Sequence, residues 1–135
     1  KLVEPRHTLS INTCTVSQFA ALAALTGPQD EMEKMTAEYA ARRDFLMPAL
    51  TEMGLTYGHP GGAFYIYTNV SSTGLGAAEF CERLLREARV LLMPGALFGD
   101  DTDVYTRISL LQPMDRIKEA AERMKTFIAK IKVPA

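Results

Sequence analysis

Val104-Tyr105-Thr106-Arg107-Ile108-Ser109-Leu110 alternates with a period of two. Val104, Thr106, Ile108 and Leu110 fall on one side of an extended chain, and Tyr105, Arg107 and Ser109 on the other. That is the pattern of a strand with one face in a core. The segment after it, residues 115–130, returns to helical spacing and sets Ile117, Ala121, Met124, Ile128 and Ile131 on one face. Immediately upstream, Val90-Leu91-Leu92-Met93 is a short apolar run closed by Pro94-Gly95, which reads as a buried strand. A helix over 77–88 precedes it, burying Phe80, Leu84 and Ala88 while Arg83, Arg86 and Glu87 stay solvated. Residues 71–76 form a loop. The aromatic and β-branched run Ala63-Phe64-Tyr65-Ile66-Tyr67-Thr68 is a further strand, entered from the turn Gly58-His59-Pro60-Gly61-Gly62.

Two helices open the chain. Residues 16–25 are alanine-rich and stop at Gly27-Pro28, where glycine can take a left-handed cap and proline cannot continue the helix. Residues 29–53 carry Met32, Met35, Tyr39, Leu46, Leu50 and Met53 as one apolar stripe, with Asp30, Glu31 and Glu33 at the positive end of the dipole. Gly54 ends that helix, and Pro48 should kink it by removing one backbone donor. Residues 10–15 read as loop or short extended chain. The sum is α+β in the order α-α-(β)-β-α-β-β-α, with helices packed on a small sheet.

The composition fits this. At 135 residues, 47% of them hydrophobic and 23% charged, with a net charge of −1, the chain suits one domain. Such a domain buries about two-thirds of the surface its unfolded chain exposes. The apolar content is too high for a disordered tail. No run approaches the ~20 apolar residues of a membrane span, and no basic excess points to nucleic acid. Cys14 and Cys81 are too few for a disulfide framework and lack a CxxC partner for metal. These features point to a soluble, cytoplasmic protein. The opening Lys1-Leu2-Val3-Glu4-Pro5 lacks signal-peptide features and reads as the interior of something longer, although a trimmed tag would look the same.

Two places could carry chemistry. Arg107 sits mid-strand, opposite the aliphatic side, where a rigidly held guanidinium suits bidentate capture of a carboxylate or phosphate. The competing reading pairs it with one of Asp100, Asp101 or Asp103, and from the strand pattern alone that is the simpler one. Met93-Pro94-Gly95-Ala96-Leu97-Phe98-Gly99 runs a strand straight into a stiff turn that can set Phe98 and bare backbone beside a ligand; an ordinary connection would look alike. Elsewhere the chemistry thins out. The glycines of 58–62 lack phosphate-loop spacing. His7 and His59 have no acid at motif spacing, and the two cysteines have no paired base. The strand at 63–68 lacks the basic residue that opens an RNA-stacking strand.

Five pieces in order carry a resemblance. They are Ser17-Gln18 running into Ala20-Ala21, Ala24-Leu25 and Gly27-Pro28-Gln29; Tyr39 with Arg42-Arg43-Asp44 and Leu50; Pro60 with Gly62-Ala63-Phe64-Tyr65; Met93-Pro94-Gly95 with Phe98-Gly99; and Tyr105 with Arg107-Ile108-Ser109. Together they resemble the C-terminal portion of a class I/II pyridoxal-phosphate aminotransferase of the aspartate aminotransferase type, from about residue 8 to 131. The resemblance implies a fold like the small domain of fold-type I pyridoxal-phosphate enzymes. It assigns 1–27 to the end of the large domain and 28–135 to the small C-terminal domain. It implies that Arg107 binds the substrate α-carboxylate and that Pro94, Gly95 and Phe98 approach the substrate. It also implies that 10–17 lies near a neighbouring subunit's active site in a homodimer.

The departure from the family is equally specific. The lysines stand at 1, 34, 118, 125, 130 and 132, none in the family's Ser-Lys setting, so the Schiff-base lysine is absent from this chain. The resemblance therefore implies pyridoxal 5'-phosphate, amino-acid and 2-oxo-acid substrates for a parent protein, with no cofactor held by this chain and no activity from it alone. Two alternatives stand beside this: a free-standing non-catalytic binding or dimerisation domain, and part of a lyase or synthase on the same scaffold.

Overall fold

Alternation and register together build the sheet. The computed structural model describes residue 8 and residues 12–132. Strands β1 (Thr56–Tyr57), β2 (Tyr65–Asn69), β3 (Met93–Pro94) and β4 (Tyr105–Ser109) form an antiparallel sheet in the order β1-β2-β4-β3. β4 lies at its centre, setting Tyr67 opposite Arg107 and Ile66 opposite Ile108 on β2, and Met93 opposite Arg107 on β3. The period-two reading of 104–110 holds: Thr106, Ile108 and Leu110 are buried, whereas Arg107 is half-buried and Ser109 exposed.

Helices α1 (Thr15–Thr26), α2 (Asp30–Glu52), α3 (Ala77–Arg83) and α4 (Met114–Lys132) complete the predicted order. The core joins Leu46 and Leu50 of α2 and Met53 after it to Ile66, Ile108, Phe80, Leu84 and the α4 face Ile117, Ala121, Met124, Phe127 and Ile128. Phe80 and Phe127 meet edge to face, centroids 5.7 Å apart. The chain divides into two compact units, residues 1–35 and 36–135, so the division falls inside α2.

Several boundaries differ from the expectation, each for a local reason. The strand predicted at 63–68 starts at Tyr65, because Ala63 takes a left-handed φ of 59° that no strand residue adopts. The strand predicted at 90–93 pairs only at Met93–Pro94, and Leu91 is 66% exposed. Here α3 gives way to a π turn, Leu84–Ala88, which Arg89 closes at φ 58° while the Val90 amide donates back to the Leu84 carbonyl (3.5 Å). The next residues serve to end a helix before any of them can join the sheet. Pro94 lacks a donor and is tolerated because β3 is an edge strand.

Gly27 does not adopt a left-handed cap; its φ of −79° and ψ of −179° are extended. Glycine suits the position for another reason, since a Cβ there would stand 2.7 Å from the Ala23 carbonyl oxygen. The left-handed stop appears at Gly54, φ 79°. α2 runs through Pro48. Its stripe is buried only in its second half: Leu46, Leu50 and Met53 are inside, while Met32 and Met35 are about half exposed.

Candidate substrate-binding site

β4 carries Arg107 on the face opposite the core, and the chain reversal after β3 brings a second wall to it. Pro94, at φ −65° and ψ 145°, ends β3 and feeds a single 3-10 turn, Gly95–Phe98. That turn lays the Phe98 ring over Arg107, with 3.6 Å from the guanidinium carbon to the ring centroid. The Tyr65 ring of β2 also lies against it, at 4.2 Å. A guanidinium covered by rings keeps its in-plane N–H edge as the route for a ligand, the approach that a carboxylate makes with two parallel hydrogen bonds. All four residues expected here, Pro94, Gly95, Phe98 and Arg107, come together.

The competing ion pair is not made. Among the described residues Arg107 has no carboxylate within ion-pair distance. The nearby aspartates are used locally. Asp100 Oδ1 accepts from the Thr102 amide (3.0 Å) and hydroxyl (2.5 Å), which holds its carboxyl below the usual carboxylate range. Asp103 Oδ1 accepts from the Ala78 amide at the start of α3 (3.0 Å).

Gly95 is where the turn tolerates no side chain. A Cβ there would collide with the Tyr67 hydroxyl and stand 2.6 Å from Asp100 Oδ2. Asp100 Oδ2 is itself sealed from solvent, with no close hydrogen-bond partner among the described residues, and the Tyr105 backbone also helps to hold the carboxyl low. Burial, then the Asp100 charge, raises the Tyr67 hydroxyl above its ordinary pKa, while Arg107 pulls the other way. Tyr67 stacks on Tyr105 at 5.3 Å, and an aromatic series runs from Tyr65 through Phe64 (4.4 Å) to Tyr39 (5.8 Å). The sequence marks Tyr65 only as part of the Gly62-Ala63-Phe64-Tyr65 piece and Tyr67 only as a strand residue, and neither as a wall of this site. Their spacing of two on an aromatic strand was visible, but only the β2–β4 register puts both beside Arg107.

The other candidates lie apart from this site. His59 is exposed, and His7 lies outside the described residues. Cys14 is exposed; Cys81 is buried, its thiol pushed up to about 11 by burial and then by Asp103. Two depressions, of about 370 and 440 Å³, are lined by residues other than Arg107, Phe98 and Tyr65.

No described lysine stands where it could hold pyridoxal phosphate beside Arg107. The described lysines all sit on α2 and α4, and most are engaged. Lys34 pairs with Glu31 (2.7 Å), Lys125 with Glu52 (3.5 Å), Lys132 donates to the Met53 carbonyl (3.0 Å), and Lys118 lies over Phe45. None of these contacts involves Arg107 or the aromatic walls beside it.

Comparison with known proteins agrees with the geometry of the fold. Residues 5–124 match the family model for aminotransferase class I and II. The chain belongs to that family. It is 38% identical over 115 residues to a putative aminotransferase, YugH, of Bacillus subtilis, covering 85% of this chain and 30% of that protein. It is 38% identical over 125 residues to aromatic-amino-acid aminotransferase 2 of Thermococcus litoralis, covering 90% and 32%. Among solved structures, an aminotransferase from Mycobacterium tuberculosis superposes with a TM-score of 0.84 at 30% identity, over 92% of this chain and 33% of that one. The chain thus spans about a third of the length of the relatives it matches. No helix among the described residues is long and apolar enough to cross a membrane.

Proposed function

We propose that this chain is the C-terminal segment of a cytoplasmic, pyridoxal-phosphate-dependent aminotransferase, and that its contribution is to grip the substrate carboxylate. In this reading residues 1–27 end the large domain and 28–135 form the small domain. The whole enzyme, a homodimer, moves an amino group between an amino acid and a 2-oxo acid. Arg107 donates in-plane hydrogen bonds to the α-carboxylate, Phe98 and Tyr65 hold the guanidinium plane, and Pro94 and Gly95 set the turn that brings Phe98 there. The role is one of position, since an oriented substrate removes part of the entropic barrier before any bond changes. The cofactor and its lysine belong to residues beyond this chain, so the chain alone has no transaminase activity.

The observation that carries this reading is an arginine covered by two aromatic rings, on a strand at the centre of the sheet, with no carboxylate partner among the described residues. The test is Arg107→Ala and Arg107→Lys in the full-length enzyme. Truncating one partner of a desolvated, hydrogen-bonded charge pair costs about 2–5 kcal/mol, which lowers kcat/KM roughly 30- to 5,000-fold. Unchanged amino-acid affinity in either variant would refute the assignment. The alternative of a non-catalytic dimerisation domain draws support from the uncovered apolar residues of α1. Sedimentation of the isolated chain separates the two: a monomer argues against that alternative, and a stable dimer for it.

A further inference from the structure

The depression of about 440 Å³ is built differently from the Arg107 site. It lies where the 89–92 segment leaves α3 and fails to join the sheet, so that the chain diverges from Ile108 and Ser109 and a cleft opens toward the start of α4. Its floor is apolar core, including Leu92, Ile117 and Met124, and Leu91 and Leu111 line it while 66% and 52% exposed. The volume lies within the range of about 300–1,000 Å³ that small-molecule sites occupy. Three guanidiniums line it: Arg89, Arg116 and Arg123. The lining carboxylate, Glu119, is already shared by Arg116 (2.5 Å) and Arg123. Arg89 is exposed and has no ion pair among the described residues. With three cations and one anion, the lining carries a formal charge of +2 over a greasy floor.

We propose that this cleft binds a small amphiphilic anion, a carboxylate with an unbranched or flat apolar tail, independently of the Arg107 site. The head pairs with Arg89 and corrects the local charge excess; the tail lies between Leu91 and Leu111 and covers apolar surface that water now touches. A cation with the same tail is rejected by the guanidiniums. An uncharged tail gains only the apolar part. Because Arg89 stands on the segment that leads directly into β3, occupancy would brace the connection that ends in the Phe98 turn.

The test is a titration of the ¹⁵N-labelled chain with octanoate, 1-octanol and octylammonium, followed by amide shifts. Octanoate should produce saturable shifts in residues 89–92 and 109–117, and octylammonium none. 1-Octanol should bind more weakly by about fivefold, the scale of one exposed charge pair. Arg89→Asn, chosen because asparagine tolerates the left-handed backbone there, should weaken octanoate by a similar factor, and Arg89→Lys should restore most of it. Equal binding of octanoate and 1-octanol would overturn the proposal. So would indifference of octanoate to Arg89→Asn, or shifts centred on Arg107 and Phe98 rather than on the cleft.

Discussion

Helices α1 and α4 both carry apolar residues at helical spacing, yet only one uses them. α4 mixes charge and grease: most of its arginines, lysines and glutamates are exposed, while Ile117, Ala121, Met124, Phe127 and Ile128 are buried. α1 contains no charged residue from Thr15 to Thr26 and buries none of its side chains. Val16, Phe19, Leu22 and Leu25, spaced by three, are 76%, 68%, 57% and 82% exposed. A helix of twelve residues is marginal in water unless a packed face supports it. Apolar content therefore states what a helix would bury given a partner, and only the contacts show whether the chain supplies that partner. For α4 it does; nothing among the described residues covers α1.

The contrast is sharpest in stability. Phe127→Ala should cost about 3–5 kcal/mol, because it opens a cavity against Phe80 in the core. Phe19→Ala on α1 should stay within about 0.5 kcal/mol, as surface changes do. Urea unfolding of the isolated chain measures both. A comparable loss at Phe19 would mean that α1 is packed after all, and the comparison would fail.

A smaller effect probes the substrate turn against an open one. Gly95→Ala places a methyl group against the Tyr67 hydroxyl and the Asp100 carboxylate and should cost about 1–3 kcal/mol through overpacking. It should also lift Phe98 from Arg107, seen as a change in the Phe98 ring shifts by NMR. Gly58, where a Cβ meets nothing within 4 Å, should accept alanine with a change of about 0.5 kcal/mol or less. Equal tolerance at the two positions would remove the geometric reason for glycine in the turn.

How much of this was legible depends on the range of the signal. The element order was, because it rests on local periodicity, and the α4 face was nearly complete, lacking only Phe127. Element ends were not, since Ala63 and Arg89 take left-handed backbones that no residue preference announces. The α2 stripe has the spacing of one continuous surface, yet it is buried only from its middle onward. At the site, Arg107 and the Pro94-Gly95-Phe98 turn were visible as chemistry and as a resemblance. Of the two rings that cover Arg107, Phe98 is nine residues away in the turn, but Tyr65 is reached only through β2–β4 pairing between residues about forty apart. No sequence window contains it.

The two cysteines repeat the comparison at a finer scale. Cys14, exposed just before α1, should react with a thiol reagent in the native chain, while Cys81, buried in α3, should react only as the chain opens. The thiolate of Cys81 is disfavoured by burial, with Asp103 adding to it, so its folded pKa of about 11 lies above its ordinary value near 9. The sign follows from proton counting. Between those two values the unfolded chain has released the proton and the folded chain keeps it, so raising the pH draws the equilibrium toward the unfolded state. The contribution is fully present below pH 9 and declines progressively toward pH 11. Cys81→Ala should flatten that part of the stability curve and leave a shallower alkaline slope. An alkaline slope identical in Cys81→Ala and the parent chain would show that the thiol is not held in the core in solution.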